Sequence, residues 1–554
     1  MKKIWLDSYP DGVPEEIPAP EFKSVRDMIE FGMREFADRP CFTNMGTTLT
    51  YRDIDELSMQ FACYLQKTLK FIKGERVAIM LPNVLQYPVA LCGVFRAGLV
   101  AVNVNPLYTP RELRHQLTDS GARCIVILDN FAHTLEEVIG DTAIDQVVTT
   151  QLGDLLTFPK NILTNFVLKR IRKAVPPYSL PGSISLRSAL KAGRGQNLDS
   201  IEIGYGDIAF LQYTGGTTGI AKGAMLSHRN MVFNVHQAKA WEAGILDTDE
   251  RLVAITALPL YHIFSLQGNC LSMMIRGGEN VLITNPRDFP AFVKELSRHK
   301  FVYLTGVNTL FVGLLNTPGF ADLDFSALRL SIGGGMAVQE AVAKKWKEVT
   351  GNPIIQGYGL TETSPTAIVV PLQMEEFTGS IGLPVPSTEV RICDDDGNDV
   401  GLGESGEICI RGPQVMEGYW QSPEETAKVM LPGGWFRTGD IGRMDQRGFV
   451  YIEDRKKDMI LVSAFNVYPN EIEGVVVEMD GVLEAAAIGV PDEKSGEAVK
   501  LYVVKNDESL TADDVMAYCR ENLTAYKVPR EIEFRDDLPK TNVGKILRRA
   551  LRDQ

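Results

Sequence analysis

The sequence predicts an α/β protein of several units: a large N-terminal domain of parallel α/β layers, a β-rich subdomain, and a small C-terminal α+β domain. Three observations carry this. The 554 residues exceed what one hydrophobic core organises, so two to four structural units are expected. Up to about residue 380, short apolar runs ending in glycine or polar turns alternate with helical patterns, as in parallel strands buried on both faces. Beyond it, period-two alternation and frequent glycine take over, the pattern of antiparallel hairpins.

In chain order, "RVAIMLPN" (76–83), "CIVILDN" (124–130) and "DIAFLQYTGGTTG" (207–219) read as strands. Between them "TPRELRHQLTDSG" (109–121), with Leu113 and Leu117 at i, i+4, reads as a helix. The longest apolar run, Pro88 to Val104, is interrupted by Arg96 and Asn103, so a buried helix and strand is expected there and not a bilayer span. In "NILTNFVLKRIRKAV" (161–175), apolar residues at 163, 166, 167, 171 and 174 stand beside Lys169, Arg170, Arg172 and Lys173. A basic amphipathic helix that touches a membrane surface and an ordinary helix with a solvated basic face both fit. The Asp-Asp-Gly-Asn turn in "STEVRICDDDGNDVGLGESGEICIRG" (387–412) predicts a hairpin within a β-rich subdomain at about 380–453. A charged run at Asp454 would make a poor core segment. It separates a large domain, 1–453, from a small one, 454–554, with helices expected at 469–479 and 511–522 and a strand at 498–505.

Hydrophobic residues make up 45% and charged residues 23%, an ordinary globular composition that argues against disorder. The net charge of −14 excludes general affinity for nucleic acid, and any site holding a polyphosphate must concentrate its positive charge locally. Eight cysteines without a C-x-x-C pair and six dispersed histidines suggest neither a zinc site nor a disulfide framework. They suit a reducing cytoplasm, and the N-terminus lacks an apolar signal core.

The loop "YTGGTTGIAKGA" (213–224) follows an apolar strand, where open parallel sheets bind ligands. Its small residues, hydroxyls and Lys222 suit a phosphate, although Ala221 and Gly223 flank Lys222 and break the Gly-x4-Gly-Lys-[Ser/Thr] spacing. "QGYGLTETSPT" (356–366) offers hydroxyls and the carboxylate of Glu362, the kind of ligands Mg²⁺ uses. "GWFRTGDIG" (434–442) places Asp440 after a glycine, where one carboxylate can accept from both hydroxyls of a ribose. "DRKKD" (454–458) supplies cations, and "LPKTNVGKILRR" (538–549) carries Lys545 on a glycine-containing loop. Singly, each has a plainer reading: a Gly/Thr surface loop, a first-turn charge at Glu362, a turn aspartate at Asp440, a solvated lysine at Lys545. Together they multiply as independent coincidences.

The sequence resembles the superfamily of adenylate-forming enzymes, and within it the bacterial long-chain-fatty-acid–CoA ligases, over nearly the whole chain. The residues that carry the resemblance are "YTGGTTGIAKGAMLSHRN" (213–230), "LPLYHIF" (258–264), "GYGLTET" (357–363), "GWFRTGDIG", "DRKKDMILVSAFNVYPNEIE" (454–473) and "NVGKILRR" (542–549). The resemblance implies a two-step reaction. A carboxylate and ATP give acyl-AMP and pyrophosphate, then the CoA thiol displaces AMP while the small domain, mobile about Asp454, turns. By resemblance Thr214, Gly215, Gly216, Thr217, Thr218 and Lys222, flanked by Tyr213 and Gly219, would hold the β- and γ-phosphates. Thr361 and Glu362 would contact phosphate and Mg²⁺, with Thr214 a second metal contact, and Gln356, Gly357, Tyr358 and Gly359 would form the adenine wall. Asp440 and Arg455 match the ribose contacts, and Lys545 matches the lysine that bridges carboxylate and α-phosphate. His262 corresponds to a positioning group or gate at the acyl carbonyl, although a histidine after an apolar strand is more commonly packed.

By the same resemblance, residues 301–310 and Gly333, Gly334 and Gly335 would line the acyl tunnel. Lys457, Ser463, Ala464 and Phe465 would lie on the CoA-side loop, where Ala464 stands in place of the relatives' usual glycine. The implied function is an ATP-dependent long-chain fatty acid–CoA ligase with ATP and CoA as co-substrates. Its alternatives are an aryl or short/medium-chain carboxylate–CoA ligase of the same mechanism, and a non-catalytic acyl- or nucleotide-binding protein. The chain is expected to be cytoplasmic, with a reversible contact to the inner face of the membrane through 161–175. Self-association as a homodimer is left open.

Overall fold

The computed structural model describes residues 3–214, 221–246, 251–463, 465–492, 495–541 and 544–552. Two mostly parallel sheets form the large domain. One runs, in spatial order, through Ile184–Ser185, Gln146–Thr150, Cys124–Leu128, Arg76–Met80, Val100–Asn103, Ile208–Thr214 and Lys222–Ser227, and only the last pairing is antiparallel. The other has nine strands. Its parallel centre spans Ile354–Gly359, Leu330–Gly334, Tyr303–Gly306, Val253–Thr256, Glu279–Leu282 and Pro40–Asn44, with antiparallel pairings at both edges. The expected strands appear as Arg76–Met80, Cys124–Leu128 and Ile208–Thr214; residues 215–219 of the last stretch lie outside the described residues.

The interior between these sheets explains the long apolar run. It divides into the helix Gln86–Arg96, buried at every residue, and the strand Val100–Asn103. Gly93 is needed on that helix, because a Cβ there would stand 2.7 Å from the ring of Phe61.

The expected hairpin forms from Glu389–Cys393 and Gly406–Arg411. Trp435–Met444 and Val450–Arg455 extend it into an antiparallel sheet. Asp454 lies inside this last strand, opposite Ile441. A separate sheet follows, starting at Ile460–Val462, with Phe465–Val467, Val482–Asp492, Gly496–Lys505 and Glu531–Phe534. Helices Pro469–Val477 and Ala512–Asn522 cover it, close to where periodicity placed them.

The segment 161–175 departs from expectation. Its helix spans Lys160–Phe166, widens to i→i+5 bonding over Val167–Ile171, and stops at Arg172. Arg172 N–H bonds to Val167 O and Ala174 N–H to Leu168 O, with Lys173 left-handed at φ 49°. Pro176 and Pro177 follow and cannot continue a helix, so Ala174 is not on its apolar face. That face is largely exposed: Ile162, Leu163, Phe166 and Ile171 are 55–64% exposed, as is Phe158 just before the helix at 79%, while Val167 is half-buried. Among the described residues no helix is long and apolar enough to cross a membrane.

Candidate active site

The carboxyl ends of Ile354–Gly359 and Leu330–Gly334, the strand Trp435–Met444 and the loop before Arg548–Arg552 meet at one place. Asp440 is buried there, 5% exposed. Its Oδ2 accepts from the Tyr358 hydroxyl at 2.7 Å, and its Oδ1 lies 3.3 Å from Nε of Arg455, its cross-strand partner. Tyr358 and Arg455 thus fix the orientation of this carboxylate, and Asp440 in turn holds the Arg455 guanidinium above its ordinary pKa. Glu362 sits on the turn Thr361–Thr363 just after the strand, with Oε1 accepting from the Tyr419 hydroxyl at 2.8 Å. Burial pushes its carboxyl above the usual range, and the Tyr419 hydrogen bond opposes that rise. Gly359 is required here, because a Cβ would fall 1.8 Å from Pro365 O. The Gln356 side chain is spent inside the fold, donating to Ser380 O at 2.9 Å.

Lys545 enters from the small domain. Gly544, at φ +85°, accepts from Thr309 Oγ1 at 3.2 Å, and Lys545 N–H donates to Thr541 Oγ1. The side chain then passes Gly335, itself at φ +77°, where a Cβ would stand 3.3 Å from Lys545 Cε. Burial and the nearby Arg455 push the Lys545 ammonium down to about 8, while Asp440 and Glu362 pull it back up. His262 accepts at Nδ1 from the Phe264 N–H, so its ring proton sits on Nε2. Burial, aided by Lys545, lowers it to about 3 and keeps the ring neutral. A neutral imidazole with such a low pKa positions a group better than it accepts a proton.

Residues 30–420 of this chain match the AMP-binding enzyme family, and residues 471–545 match the AMP-binding enzyme C-terminal domain. The chain belongs to the AMP-binding enzyme family. It is 57% identical to the long-chain-fatty-acid–CoA ligase of Escherichia coli O157:H7 and 58% identical to that of Yersinia pestis. Both matches cover 100% of this chain and 98% of the relative. Among solved structures it resembles the anthranilate CoA ligase AuaEII in complex with anthranoyl-AMP, with TM-score 0.84 and 26% identity over 97% of this chain and 98% of the other.

Set against the AMP-binding family expectations, the structure brings Tyr358, Thr361, Glu362, Asp440, Arg455, Lys545, His262 and Gly335 together. Gly357 stands behind them with room, its nearest added-Cβ neighbour being Ile332 at 3.6 Å. Others behave differently. Tyr213 turns its hydroxyl to Asp119 on the helix Pro110–Ser120, a packing contact. Gly215, Gly216, Thr217, Thr218 and Gly219 lie outside the described residues. The flanking Thr214 and Lys222 face each other across two strands, and the Lys222 ammonium pairs with Glu425.

Gly333 and Gly334 are needed for packing. A Cβ at Gly333 would meet Val338 and Ile354 at 2.6 and 2.7 Å, and one at Gly334 would meet Gly357 O at 2.9 Å and the Phe264 ring at 3.2 Å. Lys457, Ser463 and Phe465 stand at the surface of the small domain, where Phe465 stacks on Tyr526 at 4.5 Å. Ala464 lies outside the described residues. Asp454 is wholly buried and accepts from the N–H groups of Arg455 and Asn470, with Arg548 Nη1 at 3.4 Å. Burial raises its carboxyl to about 6 against the pull of Arg548. Sequence reasoning gave no role to Tyr419, nor to Phe264 and Arg548 within the quoted motifs, because Tyr419 meets Glu362, the Phe264 ring meets Gly334 and Arg548 meets Glu473, each far along the chain.

Proposed function

We infer that this chain is an AMP-forming long-chain fatty acid–CoA ligase that works through an acyl-adenylate. The observation that carries the reading is Lys545 on the small domain, seated against Gly335 beside Glu362, Asp440 and Arg455. In the first step an oxygen of the fatty carboxylate attacks the α-phosphorus and pyrophosphate leaves. Two anions must meet, so positioning and charge neutralisation dominate, and Lys545 would bridge carboxylate and α-phosphate. Asp440 accepts from the ribose hydroxyls, and Tyr358 with Gly357 and Gly359 backs the adenine. In the second step the CoA sulfur attacks the acyl carbonyl, AMP leaves, and the thiol proton passes to solvent. His262, neutral at Nε2–H, orients the carbonyl.

Among the described residues no cluster of three or more His, Cys, Asp or Glu could hold a metal. A magnesium ion carried in by ATP needs few protein oxygens, and the Glu362 carboxylate with the Thr214 hydroxyl fits that need. When bound, the ion would neutralise charge on the leaving phosphates. Asp454 is proposed as the pivot between the two steps, because its carboxylate joins the last strand of one sheet to the first helix of the small domain. The exposed apolar side chains at 158–171, beside Lys160, Lys169 and Arg170, are proposed to rest on the inner face of the membrane, where fatty acids partition. The measurement that tests the function is pyrophosphate release with ATP and acids from acetate to oleate, with benzoate included. Release should be greatest with long chains. Release with benzoate or acetate but not oleate would replace the reading with an aryl or short-chain ligase, and no release with any acid would favour a binding protein.

A further inference from the structure

The segment "EGYWQSPEETAK" (417–428) lies outside the stretches to which sequence reasoning assigned chemistry, yet it touches the two charged groups assigned to the phosphate end. Tyr419 is 8% exposed. Its hydroxyl donates to Glu362 Oε1 at 2.8 Å, and its ring face lies 5.2 Å from Lys222 Nζ. Lys222 takes its counter-charge from Glu425, on the helix Pro423–Val429 that starts four residues later. One ring therefore lies against a carboxylate at its hydroxyl and against a cation at its face.

The backbone around Tyr419 is clamped on three sides. Tyr419 N–H donates to Thr426 Oγ1 at 2.8 Å, Trp420 N–H to Gly223 O at 2.8 Å, and Met225 N–H to Gly418 O at 2.9 Å. Met416 N–H donates to Glu362 O at 2.8 Å, so this segment also holds the backbone of the Glu362 turn. The Tyr419 backbone therefore cannot shift without moving the strand that carries Lys222 or the turn that carries Glu362.

We propose that Tyr419 is a positioning residue for adenylation: its hydroxyl sets the direction of the Glu362 carboxylate while its ring keeps Lys222 apart from it. The spacing of the two groups is then set before ATP binds, and a direct Glu362–Lys222 pair, which would remove both from the phosphates, is prevented. The proposal rests on the reading of Glu362 and Lys222 as phosphate-end groups.

Tyr419→Phe removes the hydroxyl and keeps the ring. Acyl-AMP formation, followed by pyrophosphate–ATP exchange, should fall roughly ten- to hundredfold in kcat, the loss expected for a hydrogen bond to a charged group. The KM for ATP should rise less than kcat falls, and CoA acylation from supplied acyl-adenylate should keep its rate. Tyr419→Leu removes the ring as well and should raise the KM for ATP further. Binding gives a readout without turnover: the wild type's preference for ATP with Mg²⁺ over ATP in chelator, titrated by tryptophan fluorescence, should shrink in Tyr419→Phe. Wild-type exchange by Tyr419→Phe, or equal losses in both half-reactions, would overturn the proposal. Glu362→Gln separates the two levels. If it impairs exchange while Tyr419→Phe does not, only the positioning role fails; if Glu362→Gln exchanges normally, the reading of Glu362 fails with it.

Discussion

Lys545 sits three residues before Arg548, whose guanidinium bonds to Glu473, Asn470 and Asp454, the residue proposed as pivot. The loop that carries Lys545 is therefore braced, through Arg548, by Asp454. Lys545→Ala should nearly abolish acyl-AMP formation, a loss on the order of several kcal/mol in transition-state stabilisation, while a supplied acyl-adenylate still reacts with CoA. Equal loss of both half-reactions, measured in single turnovers, would contradict the assignment. The same residue dictates a pH dependence. Its ammonium is lowered to about 8 by burial and Arg455, with Asp440 and Glu362 opposing and neutral His262 adding no charge. If Lys545 bridges the carboxylate and the α-phosphate, its protonated form is the active one and is lost as pH rises through that value. For adenylation kcat/KM, which reports the free enzyme, a fall of about tenfold per pH unit is therefore expected above pH 8. A profile flat to pH 10 would mean that Lys545 titrates elsewhere or is not needed.

At the scale of elements, Asp454 illustrates what could and could not be read from the chain. The charged run predicts that two domains part at Asp454; in the structure Asp454 and Arg455 still belong to the earlier sheet, and the next sheet begins at Ile460. The same reasoning fails to foresee that Asp454 is wholly buried, since its partners Asn470 and Arg548 lie 16 and 94 residues away. Asp454→Pro fixes φ at the junction and removes the carboxylate that receives Asn470 N–H. One half-reaction should be suppressed and the other largely spared, with the folded protein verified by thermal unfolding. Wild-type rates for both would move the pivot elsewhere. Parallel strands, the hairpin and the terminal helices were legible because each repeats a local period. Gly333 and Gly334, expected by resemblance along the acyl tunnel, end the strand Leu330–Gly334 and accommodate Val338, Ile354 and Phe264, neighbours that only the folded sheet supplies. Tyr213 looked like part of a phosphate loop from its position, yet strand alternation sends its side chain to Asp119.

For the whole molecule, a net charge of −14 sets a condition on any membrane contact. An anionic bilayer repels such a body on average, so approach must be led by a local cluster that outweighs the long-range field within a Debye length. The segment around Phe166 meets that condition: Lys169, Arg170, Arg172 and Lys173 are all exposed beside five exposed apolar side chains. Each such cation near an anionic surface contributes about 1 kcal/mol, and the apolar side chains add burial that salt does not screen. Two variants separate the terms. Changing Lys169, Arg170, Arg172 and Lys173 to glutamate should release the protein from anionic vesicles at low salt and leave ATP use in detergent unchanged. Changing Phe158, Ile162, Leu163 and Phe166 to serine should weaken the binding that survives at high salt, again with normal turnover of detergent-dispersed acid. Vesicle binding unchanged in both variants, measured by sedimentation, would mean that the segment is an ordinary solvated helix and that fatty acids reach the site through water.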